Sequence, residues 1–425
     1  MSEEKETTEE RAAPEETKGN FLQRIFIRRG VFQVALLPIL AVFTAFVLGG
    51  VVIAVSSPDV LTAWKTTSLS EALGTTWALV RDAYVALFEG SFGSPAGIVE
   101  AIKSYNSTGE TRPLLEAFRP LGESLAIATP YIFAGLAVAL GFRGGLFNIG
   151  AEGQLFIGGL ASVYVGYSIT GQPWYVHLPL ALVAGILAGA LWGTIPGILK
   201  ALTGAHEVIN TIMMNYVAFR LVEFMLHGPM ARPDRLPITL EIESSAYLPA
   251  LFPRPMRFHV GFFLALVVAA LVYWFLWKTK YGLEIRMVGA NPHASRYAGI
   301  KIASRIVLTM AISGALAGLS GTVQILGIDH RMVRAFSPGY GFDAIALALL
   351  GNSHPVGVVL ASLLFGFMRG GAARMQSVAG VPVEIIRVVQ AMVIIFVAAP
   401  EIIRGIYRIK AERAEDEVLM PGWGS

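Results

Sequence analysis

Residues Leu178–Leu199 read LPLALVAGILAGALWGTIPGIL, a run without a charged side chain. A helix needs about 20 such residues to cross a bilayer. Glycines occur in this run at every fourth position, so they share one helix face, where a neighbouring backbone can approach closely. They are Gly185, Gly189, Gly193 and Gly197, and Gly314 and Gly318 repeat the pattern in a later apolar run. Helix packing without a direct functional role is the interpretation we favour for these six residues.

Nine further apolar segments accompany this run and predict an all-α, polytopic membrane protein with about ten spans. The ten segments are Phe32–Val55, Leu125–Phe142, Leu146–Ile169, Leu178–Leu199, Ile209–Leu226, Val260–Trp277, Ile306–Leu326, Phe342–Leu350, Val356–Met368 and Ile385–Ala399. The eighth and ninth are short and flank the polar break Gly351–Pro355. A single broken span over Phe342–Met368 is the alternative.

Composition supports a lipid environment. Hydrophobic residues make up 54% of the 425 residues and charged residues 15%, against about 25% in soluble domains. The absence of cysteine excludes disulfides, thiolate metal sites and cysteine nucleophiles. The formal net charge of +3 is too small to indicate nucleic-acid binding.

The placement of charges predicts the topology, because Lys and Arg concentrate on the cytoplasmic side. Residues 1–30 are predicted to form an acidic, disordered tail that ends in a basic juxtamembrane stretch and is cytoplasmic, like the C-terminus, and residues 31–403 form the transmembrane domain. The basic loop 278–305 and the tail 404–425 are predicted to be cytoplasmic. Segments 56–124 and 228–259 are predicted to be external. Within the first, Glu71–Phe92 reads as an amphipathic helix at the outer surface, with a further span as the alternative.

No catalytic motif is present. The sequence contains no GxxxxGK[ST], HExxH or GxSxG pattern, and its seven histidines are scattered without metal-ligand spacing. We therefore predict no enzyme activity, no metal and no cofactor. Transport would draw its energy from another subunit or from an ion gradient. Few ionisable residues lie deep in the spans, with Arg220 and Glu223 the main pair, which disfavours an ion-coupled secondary carrier.

Two polar regions stand out. Gly145–Gln154 (GLFNIGAEGQ) opens an apolar span, with Asn148 as its expected N-cap. It fits equally an irregular helix start that lines a polar pathway and a capped helix packed on its neighbour. In the loop Tyr281–Arg305, a turn at Gly289–Pro292 precedes an expected short helix, Ala294–Ile302. That helix would fit a partner's groove, and a basic loop that merely sets topology is the alternative.

Three motifs in order carry a family resemblance: FRGGLFNIGAEGQ (Phe142–Gln154), INTIMMNY (Ile209–Tyr216) and GLEIRMVGANPHASRYAGI (Gly282–Ile300). They resemble the permease subunits of bacterial ABC importers for branched-chain amino acids, ribose and nucleosides, most closely the nucleoside and simple-sugar branch. The likeness covers roughly Leu125–Pro400. It implies a type II importer fold in the bacterial inner membrane and a coupling loop that docks on a separate ATPase. The implied coupling residues are Glu284, Arg286, Gly289, Asn291, Ala294, Tyr297, Gly299 and Ile300. Ser295 departs from the family, which usually has a second alanine there.

The resemblance also implies partners: a cytoplasmic ATPase, a second and different permease chain, and an external solute-binding lipoprotein. We expect a small, neutral, polar solute, a nucleoside in the first place. A simple sugar or a branched-chain amino acid is the alternative within the family, and an ion-coupled carrier the alternative outside it. The residues expected to line the pathway are Asn148, Glu152, Gln154, Asn210, Asn215, Asp343 and Asn352.

Overall fold

The computed structural model describes residues 29–234 and 236–409, and their regular secondary structure is helical apart from two isolated β-bridges. The helices before residue 230 are α1 (Arg29–Ser56), α2 (Pro58–Thr66), α3 (Leu69–Phe92), α4 (Pro95–Thr108), α5 (Arg112–Arg143), α6 (Ala151–Ser168), α7 (Trp174–Thr203) and α8 (Glu207–His227). The helices after it are α9 (Gly261–Lys278), α10 (Lys280–Ala290), α11 (Pro292–Tyr297), α12 (Ile302–Gln324), α13 (Tyr340–Leu350), α14 (Pro355–Ala379), α15 (Glu384–Ala398) and α16 (Pro400–Tyr407). Residues 1–28 of the predicted N-terminal tail and 410–425 of the predicted C-terminal tail lie outside the described residues.

Six of the described helices are long and apolar enough to cross a membrane by length and composition: α1, α5, α7, α9, α12 and α14. The pair α15 and α16 adds a seventh if it is counted as one span, bent by 87°. Each of the ten predicted segments overlaps one helix, and the polar break separates α13 from α14. The all-α polytopic fold is confirmed. Because α6, α8 and the short α13 are not among these candidates, the number ten stays a prediction.

Two helices extend beyond the predicted spans. Helix α5 begins at Arg112, so the predicted external segment contributes the first turns of this helix. Helix α14 continues beyond Met368 to Ala379. Charged residues lie in both of these extensions, and in the structure they are paired. Glu123 of α5 pairs with Arg257, and Arg374 of α14 pairs with Glu89.

Helices α7 and α12 lie in close backbone contact where their glycines meet. A Cβ atom added to Gly318 would lie 2.6 Å from the carbonyl oxygen of Gly185, and one added to Gly193 would lie 2.5 Å from that of Met310. Gly189 and Gly314 face each other in the same way. No side chain larger than hydrogen fits at these positions without moving the helices apart.

Helix α3 packs along α14. The Ser91 hydroxyl donates to the carbonyl oxygen of Phe367 at 2.6 Å, and a Cβ added to Gly90 would lie 2.9 Å from the Cα of Gly371. The helix expected over Glu71–Phe92 is therefore present, and one of its faces is covered by a long apolar helix. Its position relative to the membrane stays a prediction.

Residues 228–234 and 236–260 form an irregular segment that is held against the chain after α12. The Thr239 amide donates to Met332 O at 3.1 Å, the Ile242 amide to His330 O at 2.9 Å, and the Leu248 amide to Leu326 O at 2.9 Å. These bonds satisfy backbone groups that are away from water. The segment closes one end of the bundle and leaves the opposite end to α10 and α11.

Candidate functional site

Asn148 lies in a closed polar network inside the bundle. Its side chain is fully buried, and its Nδ2 donates to Gln154 Oε1 at 2.9 Å and to Ser313 Oγ of α12 at 2.8 Å. Its Oδ1 accepts from the Gly150 amide at 3.0 Å. The expected N-cap role is wrong, because Gly150 occupies the cap of α6 and Asn148 lies two residues earlier.

Asn215 of α8 takes over the missing capping function. Its Oδ1 accepts from the Gly153 amide in the first turn of α6 at 2.8 Å, and its Nδ2 donates to Ile149 O at 2.9 Å. Such amides at a helix start have no partner within their own helix. Asn215 is buried, whereas Asn210 is half-buried and its Nδ2 has no hydrogen-bond partner among the described residues.

Glu152 connects α6 to the start of α13. Its carboxylate is almost fully buried and accepts a hydrogen bond from the Gly341 amide at 2.5 Å. The N-terminus of a helix carries partial positive charge, which favours a carboxylate there. Glu152 therefore fixes the N-terminal end of α13 against α6.

Asp343 lies two residues after Gly341 in α13 and belongs to a different, more exposed cluster. Its Oδ2 accepts from the Tyr131 hydroxyl at 2.7 Å and pairs with Arg369 of α14 at 3.1 Å. The Asp343 side chain is 29% exposed and that of Arg369 is 16% exposed. The neighbouring Phe342 is also exposed. The sequence analysis missed Tyr131 and Arg369, although an arginine inside an apolar helix is itself a signal of function.

Asn352 lies at the other end of α13, away from Asp343. It is exposed, and its carbonyl oxygen accepts from Arg143 Nη2 at 2.8 Å. The seven expected pathway residues thus do not form one group. Asn148, Glu152, Gln154 and Asn215 are buried between helices, Asp343 is on an open face, and Asn210 and Asn352 lie apart.

The first expected coupling residues hold α10 to the bundle. Glu284 pairs with Arg305 at 2.7 Å and with Lys280 at 3.8 Å. Arg286 Nε donates to Leu276 O at 3.0 Å. Gly289 lies against the turn after α5, because a Cβ added to Gly145 would be 2.9 Å from its Cα. The first resemblance motif therefore contacts both of the others, the second through Asn215 and the third through Gly289.

The remaining coupling residues form a protrusion. Asn291 caps α11 by accepting from the Ala294 amide at 3.0 Å, and Tyr297 is 95% exposed. The expected helix Ala294–Ile302 is wrong, because α11 spans Pro292–Tyr297 and Gly299 at φ +79° turns the chain. Gly289 is also not a turn residue but part of α10. Ile300 returns the chain by donating from its amide to Ser295 O at 3.0 Å.

The unusual Ser295 has a local role in this protrusion. It is buried, and its hydroxyl donates to Asn291 O at 2.9 Å within α11. A small side chain is therefore required, and the hydroxyl adds one bond. Among the described residues, no group of three or more His, Asp or Glu side chains is placed to hold a metal ion.

Comparisons with known proteins identify the family of the chain. Residues 121–398 match the family described as branched-chain amino acid transport system, permease component. The chain is 46% identical over 289 residues to the guanosine ABC transporter permease protein NupP of Bacillus subtilis, covering 67% of this chain and 82% of that one. It is 36% identical over 299 residues to the glucose ABC transporter permease protein TsgB13 of Haloferax volcanii (68% and 78%). It is 30% identical over 259 residues to a second guanosine permease of B. subtilis, NupQ (57% and 78%). No solved structure gives a significant match.

Proposed function

Because the chain belongs to the family of permease components of branched-chain amino acid transport systems, we propose that it forms one half of the solute pathway of an ATP-driven nucleoside importer. The observation that carries the solute class is the similarity to NupP, which is named for guanosine. As an ABC permease subunit, the chain is a non-catalytic, multi-pass protein of the cell membrane, and a separate subunit hydrolyses ATP.

A second, different permease chain completes the pathway. The ion pair of Asp343 and Arg369 is partly exposed on helices that lie among apolar spans. Charged groups at that position are stable only against protein or water, not against lipid. The similarity of this chain to both NupP and NupQ of one organism supports a partner of the same fold.

The open cluster provides the solute-contacting surface. Asp343 and Arg369 offer an acceptor and a donor next to each other, and the buried Tyr131 holds Asp343 in place through its hydroxyl. These groups suit a neutral solute with hydroxyl and amide edges, such as a nucleoside. The buried residues Asn148, Glu152, Gln154 and Asn215 act indirectly, by fixing the helices around that surface.

The ATPase binds at α11 and the external binding protein at the opposite end. Helix α11 is a capped, exposed protrusion whose Tyr297 has almost no contact with the chain. A protrusion of this kind fits a groove on a partner. The external binding protein, a lipoprotein in the related systems, would contact segments 56–124 and 228–259.

The test is uptake by the assembled transporter. We expect proteoliposomes that hold this chain, its permease partner, the ATPase and the external binding protein to accumulate radiolabelled guanosine only when ATP is supplied. Unlabelled adenosine should compete, whereas glucose and leucine should not. Uptake of glucose or leucine that nucleosides do not inhibit would overturn the solute class. Uptake by this chain alone, driven by an ion gradient, would overturn the importer assignment.

A further inference from the structure

Arg143, at the end of α5, holds three parts of the chain together on the α10 side of the bundle. Its Nε donates to Ser353 O at 3.0 Å and its Nη2 to Asn352 O at 2.8 Å. Its guanidinium carbon also lies 5.5 Å from the centre of the Trp277 ring of α9. The planar fork of arginine suits two adjacent carbonyl oxygens and an aromatic face at once, whereas lysine does not.

The acceptors of Arg143 are the carbonyl groups of the turn that follows α13, whose last residue is Leu350. The chain passes through this turn in two left-handed residues, Asn352 at φ +50° and Ser353 at φ +48°. Residues other than glycine rarely adopt this conformation. The amides of the turn bond to the last carbonyl groups of α13, as the Ser353 amide does to Ala348 O at 2.7 Å. By holding the turn, Arg143 therefore also holds the C-terminal end of α13.

Trp277 connects Arg143, and the turn that Arg143 holds, to α10. Arg286 of α10 lies 5.6 Å from the same indole ring and donates to Leu276 O at the end of α9. The imidazole of His354, which follows the turn, lies 5.1 Å from the ring centre as well. Two like charges on one ring repel each other, and each is held in place by carbonyl oxygens of a different helix end. A shift of α10 therefore changes the position of Trp277 or of Arg143.

The far end of α13 carries the proposed solute surface. This helix has only 11 residues, about 16 Å in length. Arg143 holds its C-terminal end, while Gly341 and Asp343 near its N-terminal end contact Glu152, Tyr131 and Arg369. Because α13 is short and contacts its neighbours at both ends, we expect it to move as a rigid unit. Coupling between distant sites requires an element with two positions, and α13 is the candidate for that element.

We propose that Arg143 is a positioning residue that transmits movement of α10 to α13, so that ATPase contact at α11 repositions Asp343. This inference rests on the proposed function for the identity of the partner at α11. It assigns a role to a residue outside the predicted coupling and pathway sets. In the same arrangement the backbone carbonyl of Asn352, and not its side chain, makes the functional contact.

The test compares solute uptake with ATP hydrolysis in proteoliposomes that contain the complete transporter. R143K keeps the positive charge but loses the fork and the stacking. We expect it to assemble normally, to hydrolyse ATP within about twofold of wild type, and to move about tenfold less guanosine per ATP. W277L should lower the ratio similarly, whereas W277F, which keeps an aromatic face, should recover part of it.

Two matched controls keep the result specific. R374K makes the same replacement on α14, where Arg374 pairs with Glu89 at 2.6 Å on the α3 side, and should leave the ratio unchanged. N352G removes a side chain while keeping the carbonyl group, and should also leave it unchanged. An unaltered ratio in both R143K and W277L would overturn the proposal. So would a parallel loss of uptake and ATP hydrolysis that follows loss of the assembled complex. If the wild-type complex takes up no nucleoside with ATP, the proposed function fails instead.

Discussion

The bundle contains two polar clusters that differ in their exposure. In the cluster around Asn148, each group is buried and is paired with a group on another segment, including Gln154 and Ser313. In the cluster around Asp343, the charges are paired, but one side remains open. A closed network joins helices and specifies their arrangement. An open one keeps surface available to a solute. Exposure, and not polarity, separates the structural residues from the proposed pathway residues.

The largest effect is expected from breaking the closed cluster with N148L. Leucine leaves the Gly150 amide, Gln154 and Ser313 with fewer partners, and each unpaired buried group costs about 1–3 kcal/mol. We expect little folded protein in detergent extracts, measured by size-exclusion chromatography and thermal unfolding.

Asn210 provides the matched control for this prediction. Its Nδ2 has no hydrogen-bond partner in the described part of the chain, so N210L breaks no hydrogen bond of that atom. We expect a change in unfolding free energy below about 1 kcal/mol, as for most substitutions without a named mechanism. If N148L is as stable as N210L, the closed network does not hold the bundle together.

The next largest effect is expected in the open cluster. R369L leaves Asp343 without its ion-pair partner; breaking a fully buried pair costs about 3–5 kcal/mol, and the partial exposure of this pair should reduce that cost. Uptake should fall by at least about tenfold. The D343N/R369Q double variant, which removes both charges, should lower stability less than R369L, because no isolated charge is left.

A double-mutant cycle measures this coupling. Uptake and thermal stability are compared for wild type, R369Q, D343N and the D343N/R369Q double variant. Stability should recover in the double variant, while nucleoside uptake should stay low if the cluster contacts the solute. Full recovery of uptake would show that the pair has only a structural role, and the distinction between closed and open clusters would lose its functional meaning.

The difference between these clusters also shows what the sequence could predict. The glycine face of α7 could be read locally, because the period of a helix places Gly185 and Gly189 on one side. The hydrogen bonding of Asn148 could not be predicted from the sequence, because its partner Ser313 is 165 positions away. Arg369 was not singled out in the sequence, since its partner Asp343 lies on another helix. The expected coupling residues came from the family resemblance, and the contacts of Arg143, which we propose links them to α13, became visible only in three dimensions.

The smallest effect is expected at His259, a buried histidine with one ring nitrogen that lacks a hydrogen-bond partner in the described part of the chain. His259 is buried just before α9, its Nδ1 accepts from the Gly261 amide at 3.1 Å, and its Nε2 has no partner in the described part of the chain. Burial, and secondarily the charge of His330, lowers the pKa of His259 to about 4. A closed site should therefore keep this ring neutral at external pH values that would charge an exposed histidine.

The consequence is a defined pH dependence of stability. Between pH 6.5 and about 4 the unfolded chain binds a proton at this position and the folded chain does not, so stability falls as the pH is lowered. We expect the purified protein to be about 2 kcal/mol less stable at pH 5 than at pH 7, with a correspondingly lower thermal midpoint. H259Q should reduce this slope without abolishing it, because burial also lowers the pKa of His330. An identical slope in H259Q and wild type would mean that the ring is open to water, and closed polar sites would then not extend to the end of the bundle where α9 begins.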